Sequence, residues 1–221
     1  MPAKVLFKSN NGFVDIPSKL TDNKKWAFFD LDGTLVDSEN INYDLYREVI
    51  NKMHGVEITY NEWKIGFTGR RPQDSIPNFL KQKGITAKEF NFNEFVTLAK
   101  PIKDDYVFNK LLSNSNLIFG AKDYLFKLKM SGCKLLLTTS TVRIYAESIL
   151  KQYNIKDIFE HIITGDDVSK GKPNSQVYLL ALRKSNASPG ETIVFEDSKS
   201  GVESALAAGL DCVQISTDNR Q

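Results

Sequence analysis

Cysteine and histidine are scarce in this sequence, which contains two residues of each. Cys133 and Cys212 lie in apolar runs and lack the spacing of a zinc site or a disulfide framework. We therefore expect both to be small buried hydrophobic residues of a protein in a reducing setting. His54 and His161 are isolated, and we predict that neither is a catalytic base.

Long apolar runs and an excess of one charge are also missing. No run is long enough to span a membrane, and residues 1–25 lack the pattern of a signal peptide. The 29 basic and 27 acidic residues give a formal charge of +2 and are scattered, which does not favour a nucleic-acid-binding surface. We expect a cytoplasmic protein with no membrane partner and no nucleic-acid partner.

Short apolar runs alternate with amphipathic helical stretches over most of the chain. This alternation predicts parallel β-α-β units, and hence a doubly wound α/β sheet. From about residue 59 to residue 117 the pattern is helical and rich in aromatic residues, and it predicts no clear strand. The strands are predicted over residues 26–31, 133–138, 161–164, 192–195 and 212–215.

These patterns divide the chain into three parts. An α/β core is predicted over residues 26–38 and 118–221, and an inserted helical domain over residues 39–117. Residues 1–25 form an N-terminal extension that is either an additional strand or a loosely packed segment. The expected fold is therefore an α/β core with a doubly wound parallel sheet, interrupted after its first strand by an α-helical cap.

Acidic, hydroxyl and basic side chains follow the predicted strands. Because the carboxyl ends of parallel strands meet at one edge of a sheet, we expect these side chains to lie close together. They are Asp30 and Asp32 after the first strand, Thr139 and Ser140 after the second, Lys172 after the third, and Glu196 and Asp197 after the fourth.

The chemistry of this set suits phosphoryl transfer. Neighbouring carboxylates in a cleft repel each other, so a divalent cation is the expected neutraliser, and an all-oxygen set of ligands favours Mg²⁺ over zinc. Asp30 can form an acyl phosphate, and Asp32 faces the same side of an extended segment, where it can protonate a leaving group. Lys172, the Thr139 hydroxyl and neighbouring groups at Ser140 are expected to hold the phosphate.

Four motifs in this order resemble those of the haloacid dehalogenase superfamily. The run Asp30–Ser38 resembles the first motif, and Thr139 at the end of an apolar strand resembles the second. Lys172–Pro173 resembles the third motif, and Val194–Ser198 followed by Gly201 resembles the fourth. The insertion is similar to the helical cap of the subfamily that includes β-phosphoglucomutase and phosphoglycolate phosphatase.

The resemblance implies a role for each acidic residue. Asp30 is expected to be the nucleophile and a magnesium ligand, and Asp32 the acid/base residue that also binds the metal through its main-chain carbonyl. Asp197 would complete the protein ligands, with Glu196 either a further ligand or a group that orients one.

Other polar residues near the motifs are assigned structural roles. We predict that Asp37 and Ser38 serve a turn and a helix cap, because these residue types are common there. Asp166 and Asp167 are expected to stabilise their loop, and Lys170 to be a solvated charge.

The predicted activity is Mg²⁺-dependent hydrolysis of a small phosphorylated metabolite, by either a monomer or a homodimer. Arg70 and Arg71 follow a glycine in the cap, where the subfamily places substrate contacts, so one of them is expected to touch the far end of the substrate. The alternative is a sugar phosphomutase. It is weakened because residues 39–43 lack the histidine that a β-phosphoglucomutase-like enzyme would place there. Asp32 also counts against a haloacid dehalogenase proper, which needs no such acid.

Overall fold

A six-stranded parallel sheet forms the centre of the molecule. The computed structural model describes residues 2–86, 90–110 and 117–216. The strands lie in the order β1-β6-β5-β2-β3-β4, and every pairing is parallel. Their bounds are β1 (Val5–Lys8), β2 (Trp26–Phe29), β3 (Lys134–Thr138), β4 (Phe159–Ile163), β5 (Thr192–Glu196) and β6 (Cys212–Gln214).

The central strands are largely apolar and buried because helices cover both faces of the sheet. All four residues of β2 are buried, as are all five of β5. Continuous apolar runs of this kind are typical of parallel sheets. The predicted strands are therefore confirmed, although β4 begins at Phe159 rather than at His161 and β2 ends at Phe29 rather than at Leu31.

Helices connect the strands and also form the insertion. None of the helices in the described ranges is long and apolar enough to cross a membrane. The α-helices are α1 (Glu39–His54), α2 (Tyr60–Gly66), α3 (Pro72–Gln82), α4 (Phe92–Asp105), α5 (Ala121–Met130), α6 (Arg143–Gln152), α7 (Gln176–Ser185) and α8 (Lys199–Ala207), and a π-helical turn spans Tyr106–Lys110.

Alternate residues of each central strand face opposite sides of the sheet. Phe29 and Leu135 belong to one buried apolar cluster, whereas Phe28 and Leu136 belong to a second. A period of two places neighbouring side chains on opposite faces, so both faces need a helical layer. The predicted doubly wound α/β architecture is confirmed.

Helices α1 to α4 form a helical cap with an apolar cluster of its own. Trp63 and Phe67 lie at its centre, and their stacked rings are 5.5 Å apart. Helix α2 lies in the stretch predicted to be helical from residue 59, and it begins with a capping box in which Thr59 and Glu62 satisfy each other's main-chain amides. The aromatic content of the insertion therefore builds the cap interior.

The N-terminal extension adds a strand to the sheet. Strand β1 pairs in parallel with β6, and Phe13 and Ile16 pack into the same buried cluster as Phe29. The question left open by the sequence is therefore answered in favour of an additional strand.

Candidate active site

Lys172 is the centre of a buried ion-pair network at the carboxyl edge of the sheet. Its ammonium lies 2.7 Å from Asp30 Oδ1 and 2.5 Å from Glu196 Oε1, and it donates to the main-chain carbonyl of Thr138 at 3.0 Å. Only 1% of the lysine surface is exposed. The three hydrogen bonds use all of the donors of an ammonium group and orient it towards Asp30.

The charge of Lys172 balances the two carboxylates that flank it. Burial raises the pKa of Asp30 well above its usual range, Lys172 opposes this shift, and Glu196 and Asp32 add to it. Burial alone would lower the pKa of Lys172, but Asp30 and Glu196 outweigh it and raise that pKa. The lysine therefore remains cationic and favours the ionised form of Asp30, which is the form that can attack phosphorus.

Glu196 is held in place from several sides. The Tyr178 hydroxyl donates to Glu196 Oε1 at 2.6 Å, the same oxygen that Lys172 contacts. A side chain at Gly201 would bring its Cβ within 2.0 Å of Glu196 Oε2, so the fourth motif requires glycine at this position. Glu196 Oε1 thus orients Lys172, while Ser198 Oγ donates to Glu196 Oε2 at 3.4 Å.

Asp30, Glu196 and Asp197 can together hold a metal ion. One carboxylate oxygen from each lies within 4.8 Å of the others. Thr34 Oγ1 donates to Asp197 Oδ1 at 2.9 Å, and a Cβ at Gly33, whose φ is +81°, would come within 2.2 Å of Asp197 Oδ2. Clustered oxygen donors with no nitrogen or sulfur among them fit Mg²⁺.

The Asp32 carboxylate has hydrogen-bond partners of its own. Its Oδ1 accepts hydrogen bonds from Ser38 Oγ at 2.6 Å and Asn42 Nδ2 at 3.2 Å, and its Oδ2 accepts one from Thr141 Oγ1 at 2.5 Å. Burial would raise the pKa of Asp32, but the charge of Lys103 and these three hydrogen bonds outweigh burial and lower it. Both carboxylate oxygens of Asp32 therefore accept hydrogen bonds from neighbouring side chains.

The predicted role of Ser38 as a side-chain helix cap is wrong. Ser38 occupies the position before α1, but its hydroxyl donates to Asp32 and makes no cap hydrogen bond. The carboxylate is the stronger acceptor in a buried setting, because a charge-assisted hydrogen bond is worth more than a neutral one.

Three cap residues near Asp32 were missed by the sequence analysis as site residues. Asn42 contacts Asp32 directly, and Lys103 on α4 donates to Asn42 Oδ1 at 2.7 Å. Glu39 accepts a hydrogen bond from Trp63 Nε1 at 3.0 Å. Glu39 and Asn42 are three residues apart on a predicted helix, so the sequence could have placed both on the same helix face. No sequence pattern places Lys103 near Asp32, because Lys103 is 61 positions from Asn42 in the chain.

The predicted phosphate-binding residues follow β3. The main-chain amide of Thr141 donates to Thr139 Oγ1 at 3.1 Å, which orients the Thr139 hydroxyl. Ser140 Oγ instead donates to the main-chain carbonyl of Gly69 in the cap at 2.8 Å. The Ser140 hydroxyl thus contacts the cap, so any phosphate contact by this residue falls to its main chain.

The loop before α3 docks the cap onto the core. Ser200 Oγ donates to the carbonyl of Thr68 at 2.7 Å. Gly69 has a φ of +70°, and a Cβ there would lie 2.1 Å from Ser198 Oγ. Only glycine allows this conformation and this close approach, so the cap lies directly over the edge that carries Asp30.

Arg70 and Arg71 have different surroundings. Arg71 is buried, and it donates to the carbonyls of Gly165, Val168 and Ser169 at 3.3, 2.7 and 2.9 Å. It also forms an ion pair with Asp74 at 2.7 Å. These contacts use its guanidinium to join the cap to the core.

Arg70 is half-buried, and among the described residues its side chain has no hydrogen-bonding or ionic partner. It lines an open cleft between α3 and the core loop that carries Lys170 and Asn174. Of the two arginines, Arg70 is thus the one whose guanidinium faces open space near the site.

Asp166 and Asp167 stabilise their loop, as predicted. Asp166 Oδ2 accepts from the amide of Arg143 at 2.7 Å, and Asp167 Oδ2 accepts from the amide of Thr164 at 2.8 Å and from the Arg143 guanidinium at 2.6 Å. Lys170 is exposed, as expected.

Comparison with known proteins agrees with this geometry. The model of the haloacid dehalogenase-like hydrolase family matches residues 27–215. A phosphorylated carbohydrates phosphatase from Thermotoga maritima is 33% identical over 185 residues, which are 84% of this chain and 82% of that protein. A validoxylamine A 7'-phosphate phosphatase from Streptomyces hygroscopicus is 32% identical over 194 residues, with coverage of 87% and 86%.

A crystal structure of β-phosphoglucomutase from Clostridium difficile has the same fold. The TM-score is 0.75 with 22% identity, and the match covers 88% of this chain and 85% of that one. The family match spans the four motifs and the cap, and the relatives just described are phosphatases. The chain therefore belongs to the haloacid dehalogenase-like hydrolases, and it is a phosphatase of that family.

Proposed function

We propose that this enzyme hydrolyses phosphate monoesters of small carbohydrate-like metabolites in a Mg²⁺-dependent reaction with an aspartyl-phosphate intermediate. The observation that carries the proposal is the pairing of two aspartates in separate environments. Asp30 lies beside Lys172 at 2.7 Å, whereas Asp32 is held apart by hydroxyl and amide donors. Two neighbouring carboxyl groups held in separate surroundings can take separate roles, one as a nucleophile and the other as its acid/base partner.

In the first half-reaction, an Asp30 carboxylate oxygen attacks phosphorus and the bond to the leaving oxygen breaks. The positive charge of Lys172 would attract the phosphate oxygens and the Thr139 hydroxyl would donate to them, and both interactions favour the transition state. Bound Mg²⁺, held by Asp30, Asp197, the Asp32 carbonyl and Glu196 or a group that it orients, would supply neutralisation of the phosphate charge.

Asp32 would move the protons of both half-reactions. An incoming phosphate dianion raises the pKa of a neighbouring carboxyl group, so Asp32 can carry the proton that it gives to the leaving group. Once the leaving group has gone, the donors from Ser38, Asn42 and Thr141 favour the carboxylate again. That form accepts a proton from the water that attacks the aspartyl phosphate.

The carbohydrate-like substrate class is supported by the relatives and by the cap. One relative is a phosphorylated carbohydrates phosphatase, and another is a validoxylamine A 7'-phosphate phosphatase. The cap closes the site and would exclude bulk water during the reaction. Arg70, whose guanidinium has no partner among the described residues, would touch the far end of the substrate.

A phosphomutase is the second candidate because the fold matches that of β-phosphoglucomutase. The residue that contacts Asp32 from the first cap helix is Asn42. An asparagine amide can orient Asp32 but cannot exchange a proton with it, unlike a histidine. This contact favours hydrolysis over transfer to a second hydroxyl.

The test is phosphate release from a panel of sugar and small-metabolite phosphates with and without Mg²⁺. We expect release to require Mg²⁺, to vanish in Asp30→Asn, and to persist in Asp22→Asn, a matched change of an exposed aspartate. The panel includes β-glucose 1-phosphate, whose sugar products are followed. Its conversion to glucose 6-phosphate without phosphate release would replace the hydrolase proposal with the mutase.

A further inference from the structure

Glu39 and Lys103 line the cap side of the site with hydrogen-bonding capacity that the described residues do not use. Trp63 Nε1 donates to Glu39 Oε2 at 3.0 Å and fixes the carboxyl group, while Glu39 Oε1 accepts from no residue of the described ranges. Lys103 donates to Asn42 Oδ1 at 2.7 Å, and its ammonium lies 5.7 Å from the centre of the Tyr106 ring. An ammonium group has three donors, so Lys103 retains further donors.

Both groups lie on the leaving-group side of the reaction centre. Asn42 joins Lys103 to Asp32, since its amide accepts from the lysine and donates to Asp32 Oδ1 at 3.2 Å. Glu39 is close enough for its charge to raise the pKa of Asp197, after burial itself. In the proposed reaction Asp32 protonates the ester oxygen, which places the leaving group beside Asp32 and the cap residues near it.

A carboxyl group beside an ammonium group suits a particular partner. A hydroxyl both donates and accepts, so a leaving group with hydroxyls can satisfy Glu39 Oε1 and Lys103 together. A carboxylate only accepts, and it would face the negative charge of Glu39 without a proton to share. The pair therefore favours a hydroxyl group of the leaving group and disfavours a carboxylate at the same position.

We propose that Glu39 and Lys103 bind hydroxyl groups of the leaving group, so that the enzyme selects phosphate monoesters of polyhydroxylated leaving groups over esters that carry a carboxylate near the ester oxygen. This inference rests on the proposed function and deepens it, because it defines the substrate class by a contact. The two residues touch the substrate directly and are separate from the groups that hold the phosphate.

The experiment compares two ligands that differ at one position, 2-hydroxyethyl phosphate and 2-phosphoglycolate. Their binding is measured by calorimetry at pH 8 with Mg²⁺ present, because Glu39, whose pKa is raised to about 7, is largely ionised there. The Asp30→Asn protein is used because it cannot turn the ligands over. We expect the hydroxyl ligand to bind about tenfold tighter, the value of one well-made hydrogen bond to a charged group. Adding Glu39→Gln, which keeps an oxygen for Trp63 but loses the charge, should bring the ratio to about one.

A second variant and a control complete the design. Lys103→Met should weaken binding of 2-hydroxyethyl phosphate about tenfold through the loss of its donor. Glu48→Gln, an exposed change on the same helix, should leave the ratio as in Asp30→Asn alone. Equal or tighter binding of 2-phosphoglycolate, or a ratio that Glu39→Gln and Lys103→Met both leave unchanged, would overturn the proposal.

The proposed function fails by a different measurement. If wild-type enzyme releases no phosphate from any ester of the metabolite panel, hydrolysis is refuted. The binding ratio in the Asp30→Asn background still supports or overturns the selectivity of Glu39 and Lys103.

Discussion

At the scale of single residues, Lys172 pairs with two buried carboxylates. It lies between Asp30 and Glu196, and all three side chains are almost fully buried. Charges in such a place persist only when they are paired and hydrogen-bonded, since burial otherwise favours neutral forms. The lysine thus has two functions, because it opposes the rise in the pKa of Asp30 that burial causes and it places a positive charge beside the proposed phosphate site.

Replacing Lys172 with methionine should therefore damage both stability and activity. The two carboxylates would lose their counter-ion, so we expect the free energy of unfolding to fall by about 3–5 kcal/mol. Phosphate release should fall at least a hundredfold, the order seen when a transition-state donor is removed. Urea unfolding and phosphate release at neutral pH measure these effects.

The matched control is Lys170→Met in the same loop, whose side chain is exposed. It should change the free energy of unfolding by less than about 0.5 kcal/mol. A Lys172→Met protein as stable as this control would contradict the ion-pair assignment.

At the scale of elements, the start of α3 joins the cap to the core. Arg71 precedes this helix and reaches three main-chain carbonyls of the loop after β4, and Asp74 in the first turn holds its guanidinium. That loop leads to Lys172. The position of the cap and the position of the buried lysine are therefore coupled through one side chain.

We predict that Arg71→Leu loosens this junction. Three carbonyls would lose a charged donor, which should lower the free energy of unfolding by about 2–3 kcal/mol and raise KM for phosphate esters. Arg70→Leu is the matched comparison, because it removes the neighbouring arginine without breaking a contact between described residues. It should raise KM while changing stability by less than about 0.5 kcal/mol. Equal stability of the two variants would contradict the role of Arg71.

Across the whole molecule, one edge of the sheet concentrates acidic groups. Burial together with neighbouring acids raises the pKa of Asp30, of Asp197 and of Glu39, the last to about 7. The groups that face Glu39 are Asp32, Asp37, Lys103 and Asp197, with the Trp63 indole as its donor. An overall charge of +2 gives no hint of this local excess.

This excess predicts how stability depends on pH in metal-free protein. A carboxyl whose folded-state pKa is raised keeps a proton that the unfolded chain releases above about pH 4.5. Its contribution to the free energy of unfolding therefore falls as pH rises from about 4.5 to about 7. Glu39→Gln removes this loss, so at pH 8 the variant should be more stable than wild type by about 1–3 kcal/mol.

The comparison needs urea unfolding of both proteins at pH 4.5 and pH 8 in the presence of a chelator. At the lower pH Glu39 is largely protonated when folded, so the difference between the two proteins should be small. A difference that is the same at both pH values would show that Glu39 does not titrate in this window.

The sequence by itself determined the α/β core and the residues at its carboxyl edge. Apolar runs such as 26–29 and 192–195 identify buried strands because both faces need apolar cover. Asp30, Lys172 and Asp197 could then be placed together, since parallel strands bring their ends to one edge. Local patterns suffice for such features because each depends on its own segment and on a general rule of topology.

Only the tertiary structure decided which side chains surround Asp32 and which arginine joins the cap to the core. Ser38 matches a helix cap in sequence, yet its hydroxyl contacts a carboxylate that folding brings within reach. Lys103 meets Asn42 across 61 positions of sequence, and Arg71 meets carbonyls nearly a hundred positions away. Such choices depend on the distances and burial that packing creates, and no local pattern encodes them.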